Sequence, residues 1–195
     1  QIVPQAVMRF REKFPDVDLR LMEGLGHTTR PLLRDATLDM VLAPRAPLAR
    51  DDPAIRFKPI AHLSQIVVSR RGHALANARS AAALACDEWL CVVRRDATAQ
   101  ALRALGVPEP KRITECESFS TMLTLLATTD MLAVVQHPFL TMPQAAQLVQ
   151  EIQISERLPG LTVGLHTRAD APLTRPAAAL ARWLADLGRA QLQRP

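Results

Sequence analysis

The chain has 195 residues, of which 48% are hydrophobic and 22% are charged, so it can fill a sizeable core in one domain or two small lobes. Its aliphatic content excludes a disordered chain, and its three cysteines exclude a disulfide scaffold. No apolar run approaches the roughly 20 residues of a membrane-spanning helix. The net charge is +5, but the arginines are scattered and not interleaved with aromatic residues, which argues against a nucleic-acid surface.

Helix-like and strand-like segments alternate through the first part of the chain. In chain order we predict a helix over 3–14, a strand over 17–23, a short helix over 28–36 with Pro31 in its first turn, and a buried parallel strand over 38–43. This order is typical of an α/β layer built from crossover connections.

A long extended stretch over 55–70 follows, and it can leave one sheet near Ser64 and enter a neighbouring one. Beyond it we predict a short helix capped by Ser80, strands over 90–93, 112–116 and 131–135, and helices over 97–105 and 119–127. The chain then returns through extended segments over 148–154 and 161–166 to a final helix capped by Thr174. Two extended crossings predict two lobes with a hinge and a ligand cleft between them.

Motifs of catalysis and of metal binding are nearly absent. The sequence has no metalloprotease, serine-hydrolase or phosphate-loop motif, and the Gly-Leu-Gly at 24–26 lacks the third glycine of a dinucleotide fingerprint. Cys86, Cys91 and Cys116 have no histidine at zinc-ligand spacing. We therefore expect no enzyme activity, no cofactor and no metal. We expect buried thiols, with a redox switch as the alternative.

Three junctions in the sequence suit the binding of an anion. Hydroxyl groups at 118–121 stand at a helix start directly after a strand, where backbone N–H groups attract negative charge, although capping by Ser118 alone is the alternative. The junctions at 94–98 and 24–28 are similar. We expect a small organic acid rather than a sugar or a metal, with an aromatic or apolar contact from Phe119. The expected ligand-binding residues are Gly24, Gly26, Thr28, Arg45, Ser64, Thr98, Ser118, Phe119, Ser120 and His137.

Several segments follow one another in an order that matches a known family. They are IVPQAVMRFREKFPDVDL at 2–19, LLRDATLDMVLA at 32–43, GHALA at 72–76, LACDEWL at 84–90 and ESF at 117–119 with the strand over 131–135. This order resembles the effector-binding region of LysR-type transcriptional regulators. The chain departs from that family at 127–133, where ATTDMLA replaces Ala-Gly-x-Gly-Ile-Ala.

The resemblance implies an α/β fold of two Rossmann-like lobes joined by two hinge crossings, as in type 2 periplasmic binding proteins. Lobe I would comprise residues 1–64 and 162–195, and lobe II residues 65–161. The family's first strand and its DNA-binding winged helix-turn-helix would precede Gln1. The implied function is that of a cytoplasmic sensor without a membrane partner, in which a small effector in the cleft changes the arrangement of an oligomer on DNA. A solute-binding protein of an uptake transporter is the alternative.

The resemblance also places the first helix at a dimer contact. Val3, Val7, Phe10 and Phe14 form an apolar stripe on that helix. We expect an antiparallel homodimer that pairs each lobe with the opposite lobe of its mate, and a tetramer in the full-length protein. The alternative is that the stripe only covers its own sheet.

Overall fold

The structure of the chain is a computed structural model that describes residues 2–24, 26–45, 52–86, 88–91, 95–108 and 110–192. In chain order, its elements are α1 (Ile2–Lys13), α2 (Gly26–Arg34), β1 (Met40–Pro44), β2 (Ile55–Leu63), β3 (Gln65–Arg70), a 3-10 helix (Ala81–Ala83), β4 (Glu88–Cys91), α3 (Arg95–Ala104), β5 (Arg112–Glu115), α4 (Phe119–Thr128), β6 (Leu132–Gln136), a second 3-10 helix (His137–Thr141), α5 (Pro143–Leu148), β7 (Val149–Ile152), β8 (Leu161–Arg168) and α6 (Arg175–Leu192).

The chain folds into two compact units. Unit 1 consists of Gln1–Leu63 and Leu161–Pro195, and unit 2 consists of Ser64–Gly160. The predicted exit from one sheet near Ser64 is confirmed, because β2 belongs to the sheet of unit 1 and β3 to the sheet of unit 2. The assignment of these units as regulatory lobes behind a DNA-binding domain stays a prediction.

Unit 1 is built on a three-stranded antiparallel sheet in the order β1–β8–β2. Helices α1 and α6 cover one face, where Phe10, Leu165 and Leu184 belong to the same buried core. The predicted cap of α6 is confirmed, because the Ala177 N–H donates to Thr174 Oγ1 at 3.4 Å. At Gly188 the helix approaches β2 closely, since a Cβ there would lie 2.4 Å from Ile60 Cγ2.

The apolar stripe of α1 packs largely within its own unit. Phe10 is buried, and Val3 and Phe14 pack against the same core, with the Phe14 ring 6.5 Å from that of Trp183. On the outer side of the helix, Met8 is 65% exposed. The stripe therefore covers its own sheet, and only the outer side of α1 is left for an intermolecular contact.

Two strand predictions for unit 1 are wrong. Residues 17–23 form no strand, and Arg11 Nη1 donates to the Val17 carbonyl at 2.9 Å. β1 is half-buried and antiparallel to β8, whereas a buried parallel strand was expected. Both errors have one cause. The alternation of apolar and polar residues predicts an extended backbone, but a β-strand also needs a neighbouring strand to which it is hydrogen-bonded. Among the described residues, the segment 17–23 has no partner strand and β1 has β8 alone.

Helix α2 also differs in detail from its prediction. It begins at Gly26, two residues before the predicted start, so that Pro31 lies in its second turn. It ends at Arg34, and Ala36 follows with a φ of 67°, which is a left-handed conformation that stops the helix. Leu33 on this helix is fully buried.

Unit 2 contains a five-stranded mixed sheet in the order β5–β4–β6–β3–β7. β4 runs parallel to both β5 and β6, whereas β3 runs antiparallel to β6 and β7. One face packs against α4 and α5 through a core that includes Leu126 and Val135, and the other buries Trp89 and Leu102. The parallel strands with crossover helices agree with the alternating pattern of the sequence.

The sequence predicts most elements of unit 2, with two exceptions. The helix after Ser80 is a single 3-10 turn, and Ser80 makes no side-chain cap; instead, Glu156 Oε2 accepts the Ala81 N–H at 2.8 Å. The second 3-10 helix and α5 were not predicted. Residues 92–94, part of the predicted strand over 90–93 and of the junction at 94–98, lie outside the described residues.

Candidate functional site

Five predicted ligand-binding residues meet at one edge of the sheet of unit 2. β4, β5 and β6 are parallel, so that their carboxyl ends share this edge, and β3 begins there because Gln65 pairs with Gln136. We call this the strand-end edge. Ligands of α/β sheets bind at such edges. The predicted residues that follow or precede these strand ends are Ser64, Thr98, Ser118, Ser120 and His137.

At the end of β5, Ser118 caps helix α4. Its Oγ accepts a hydrogen bond from the Thr121 N–H at 3.4 Å and lies 3.1 Å from Ser120 Oγ. Both serines are exposed, and the ten residues of α4 carry no charge. The capping role of Ser118 is confirmed, and the neighbouring hydroxyls stand at the positive end of the helix dipole.

Phe119 contacts the core of unit 2. Its ring lies 5.5 Å from the ring of Phe139 in an edge-to-face arrangement, and it packs against the core cluster around Leu126. The side chain is only partly buried. Phe119 therefore fixes the first residue of α4 on the core and keeps part of its ring accessible beside the two serines.

The start of α3 is not open to an external anion, although the sequence suggested an anion-binding junction at 94–98. Thr98 is 5% exposed, and its hydroxyl partly offsets the rise that burial causes in the pKa of the Cys91 thiol. Glu115 Oε1 accepts the backbone N–H of Arg95, the first residue of α3, at 3.0 Å. An internal carboxylate thus occupies the position at which an external anion would sit. Sequence reasoning missed Glu115 because its partner lies 20 residues away on another element.

Ser64 and His137 are brought together across the strand-end edge. The His137 N–H donates to the Ser64 carbonyl at 2.9 Å. This bond continues the β3–β6 ladder by one residue pair beyond Gln65 and Gln136. The Ser64 residue is exposed and His137 is half-buried. The two residues predicted from separate segments therefore form one structural unit at the point where the chain enters unit 2.

The predicted residues of unit 1 lie in two places. A Cβ on Gly24 would approach Thr28 Oγ1 to 2.8 Å, so Gly24 and Thr28 are neighbours at the start of α2, near Gly26. Arg45 follows β1, where its N–H donates to the Thr162 carbonyl at 2.8 Å and its guanidinium lies 5.7 Å from the centre of the Phe57 ring.

His166 is a buried polar residue that the sequence did not single out. Its ring lies 4.7 Å from that of Phe57, and its Nε2 is buried without a hydrogen-bond partner among the described residues. Burial lowers the pKa of His166, with a smaller contribution from the charges of Arg30 and Arg45, while the carbonyls of Ala43 and Pro44 oppose the shift. Burial in unit 1 therefore favours the neutral form of the His166 imidazole.

The three cysteines are free thiols. Burial raises the pKa of the Cys91 thiol above its ordinary value, and the nearby Glu115 charge adds to the increase. Such a thiol is a poor nucleophile. In the part of the chain that the structure describes, no three histidine, cysteine or carboxylate side chains form a metal-binding group, and no helix is long and apolar enough to cross a membrane.

Comparison with known proteins identifies the family. The family model of the LysR substrate binding domain matches residues 1–189. The chain belongs to this family. The resemblance seen in the motif order is thereby confirmed, and so is the α/β fold class with the two-lobed architecture of type 2 periplasmic binding proteins. This LysR-type domain is an effector-binding domain rather than the solute-binding protein of a transporter.

A curated relative and two solved structures of other proteins illustrate the similarity. The SDS degradation transcriptional activation protein of Pseudomonas sp. (strain ATCC 19151) is 28% identical over 94% of this chain and 61% of its own length. The effector-binding domain of QuiR in complex with shikimate is 16% identical, with a TM-score of 0.76 over 97% of this chain and 91% of that one. The regulatory domain of CcmR from Synechocystis PCC6803 in complex with 2-PG is 18% identical, with a TM-score of 0.76 over 97% and 92%.

The chain spans about three fifths of the length of that curated relative. The two solved structures are less than 25% identical to it, so they establish the fold and not the ligand.

Proposed function

We propose that this domain is the sensor of a LysR-type transcriptional regulator, which acts on DNA in the cytoplasm through a domain outside this chain. Its ligand is not turned over but favours one arrangement of a DNA-bound oligomer by its differential contacts. The family match and the transcriptional activator among its relatives support this role. Recovery of the bound compound unchanged after prolonged incubation would support the absence of catalysis, and turnover would contradict it.

The proposed ligand is a small organic acid that binds at the strand-end edge of unit 2. The observation that carries this proposal is the group of exposed hydroxyls of Ser118 and Ser120 at the start of α4. A carboxylate there receives hydrogen bonds from hydroxyls and from the first N–H groups of the helix. The accessible part of the Phe119 ring suits an apolar or aromatic portion of the acid. Ser64 and His137 complete the proposed contacts on this edge, whereas the predicted contact Thr98 is left out because it is buried.

Gly24, Gly26, Thr28 and Arg45 are the proposed contacts in unit 1. The open space around a Cβ at Gly26 and the start of α2 support a close approach of a ligand to the backbone there. Arg45 carries a guanidinium that pairs well with a carboxylate. It stays a prediction that one ligand contacts residues of both units.

Replacement of Ser118 by alanine tests the site against simple capping. Thr174→Ala is a matched control, because both residues are exposed caps whose side-chain oxygen accepts a backbone N–H at 3.4 Å. Each variant should lose about 1 kcal/mol of stability as a lost cap. Only Ser118→Ala should also lower the affinity for the organic acid, by roughly tenfold, because a hydrogen bond to a charged group is lost.

The measurement is calorimetric affinity for the organic acid that gives the largest thermal shift in a panel of acids, sugars and amines. Equal affinity of both variants would mean that Ser118 is only a cap. Stabilisation by neutral or cationic compounds alone would contradict the anionic ligand.

We also propose that a strand preceding Gln1 completes the sheet of unit 1, ahead of the winged helix-turn-helix domain. Residues 17–23 and β1 pack against the same core. The segment 17–23 contributes Val17 and Leu19, and β1 contributes Met40 and Leu42. A further strand beside β1 would give its free edge a partner. In a longer natural form of the protein, amide exchange at 40–44 should be slower than in this chain; equal exchange would contradict the added strand.

The proposed assembly is an antiparallel homodimer through the outer side of α1, and a tetramer in the full-length protein. The exposure of Met8 supports this contact, because it leaves a large apolar side chain on the outer side of α1 that a second subunit could bury. Light scattering at micromolar concentration should give the mass of a dimer for the domain, and Met8→Glu should give a monomer. A monomeric mass for both proteins would count against the dimer.

A further inference from the structure

We infer that Glu115 restricts the ligand of the strand-end edge to a single negative charge, so that this domain selects monocarboxylates over dicarboxylates and phosphates. The inference rests on the proposed ligand site at Ser118. It concerns the number of charges on the ligand, which the hydroxyls of that site do not determine.

The first step is the position of the Glu115 carboxylate. β5 ends at Glu115, which pairs with Cys91 at the end of β4. From there its Oε1 accepts the N–H of Arg95 at 3.0 Å, so the carboxylate is fixed at the start of α3. A carboxylate at a helix start is stabilised by the helix dipole, and this contact therefore persists when a ligand binds nearby. The start of α3 is neutralised by the protein itself.

The second step is the charge of the surroundings. Five charged residues occur in the sequence segments 94–98 and 115–121 that flank the strand ends, and together they carry a net charge of −1. They are Arg94, Arg95, Asp96, Glu115 and Glu117. This local charge is opposite in sign to the net charge of +5 of the whole chain. The attraction for an anion at Ser118 therefore comes from hydroxyls and the start of α4, and the fixed charges oppose it.

The third step is the range of the repulsion. Glu115 and Ser118 are three residues apart, so their Cα atoms are separated by at most about 11 Å. This distance is close to the Debye length of about 8–10 Å at ordinary ionic strength. With this screening, a like charge about 10 Å away lowers affinity by about 1.3-fold in bulk-water dielectric and by about threefold in the dielectric near a protein surface. One ligand carboxylate is held by α4, but a second is repelled by Glu115.

The test is a comparison of benzoate with phthalate on the 195-residue chain at constant ionic strength. Backbone amide NMR shifts at Ser118, Ser120 and Thr121 give the two dissociation constants. We expect benzoate to bind more tightly than phthalate. Glu115→Gln should raise the affinity for phthalate relative to benzoate by about twofold. Glu151→Gln is the control, since it makes the same change in net charge on β7, at the opposite side of the sheet from β5.

The outcomes separate this inference from the proposed site. One outcome is that both acids shift these amides while the ratio of the phthalate to the benzoate dissociation constant is the same in Glu115→Gln and in the wild type. In that case the role inferred for Glu115 is wrong, but the proposed site at Ser118 stands. An equal change of the ratio in Glu151→Gln also overturns the role of Glu115, because the effect would then be one of net charge. If neither acid shifts the amides, the proposed site fails, and the inference fails with it.

Discussion

Replacement of Gly164 by alanine should strongly destabilise unit 1. Gly164 is buried on the central strand β8, opposite Pro59 of β2. A Cβ there would lie 2.3 Å from the Lys58 carbonyl oxygen and 2.7 Å from two carbons of the Phe57 ring. Since ordinary contact is about 3.5 Å, β2 and β8 must separate by about 1 Å. A backbone carbonyl in a ladder cannot rotate away, so we expect a loss of about 3 kcal/mol, at the upper end of overpacking effects.

The assay is thermal and urea unfolding followed by circular dichroism. A loss of about 3 kcal/mol corresponds to a fall in Tm of roughly 6–12 °C for a domain of this size. Gly26→Ala is the control, because nothing lies within 4 Å of a Cβ at that position, which is the first residue of α2. It should be neutral or stabilising by up to about 1 kcal/mol.

A double variant isolates the backbone part of the effect. Phe57→Leu removes the ring contact with an alanine at 164, but the Lys58 carbonyl remains at the same distance from the new Cβ. The double variant should therefore recover only part of the stability lost by Gly164→Ala, relative to Phe57→Leu alone. A wild-type Tm for Gly164→Ala, or complete recovery in the double variant, would refute the close approach of β2 and β8.

Two further predictions follow from the ionisable groups. The pKa of His166 is below its ordinary value of 6.5, so the unfolded chain binds the proton more readily than the folded one. The stability that neutral His166 contributes should be present above about pH 6.5 and lost as the pH falls below it; in His166→Gln, urea unfolding between pH 7.5 and 5.5 should show a smaller loss. Cys91 is buried and its thiol pKa is raised, so iodoacetamide should modify Cys116 well before Cys91 by mass spectrometry; faster modification of Cys91 would contradict its burial.

Local patterns predicted the parts of this fold that depend on residues close in sequence. The helical spacing from Val3 to Phe14, the caps at Ser118 and Thr174 and the break at Ser64 each involve residues a few positions apart, and the structure confirms them. Side-chain periodicity and capping are short-range effects, and a sequence carries them without a tertiary fold.

The strand-end edge was predicted only in part. The sequence identified Ser118 and Ser120 because a hydroxyl cluster follows a strand and begins a helix. It could not order β5, β4, β6 and β3 across the sheet, because parallel strands pair through crossovers and not through adjacent turns. The meeting of Ser64 with His137 is a consequence of that order.

The sequence by itself determined the family, most of the helices and the hydroxyl cluster at the start of α4. The tertiary structure decided which extended segments have partners, since 17–23 forms no strand and β1 is antiparallel. It also decided that Thr98 is buried and that Glu115 occupies the start of α3. The physical reason is distance along the chain. The charge at a helix start depends on whatever the fold brings there, and the Arg95–Glu115 contact spans 20 residues that no local pattern connects.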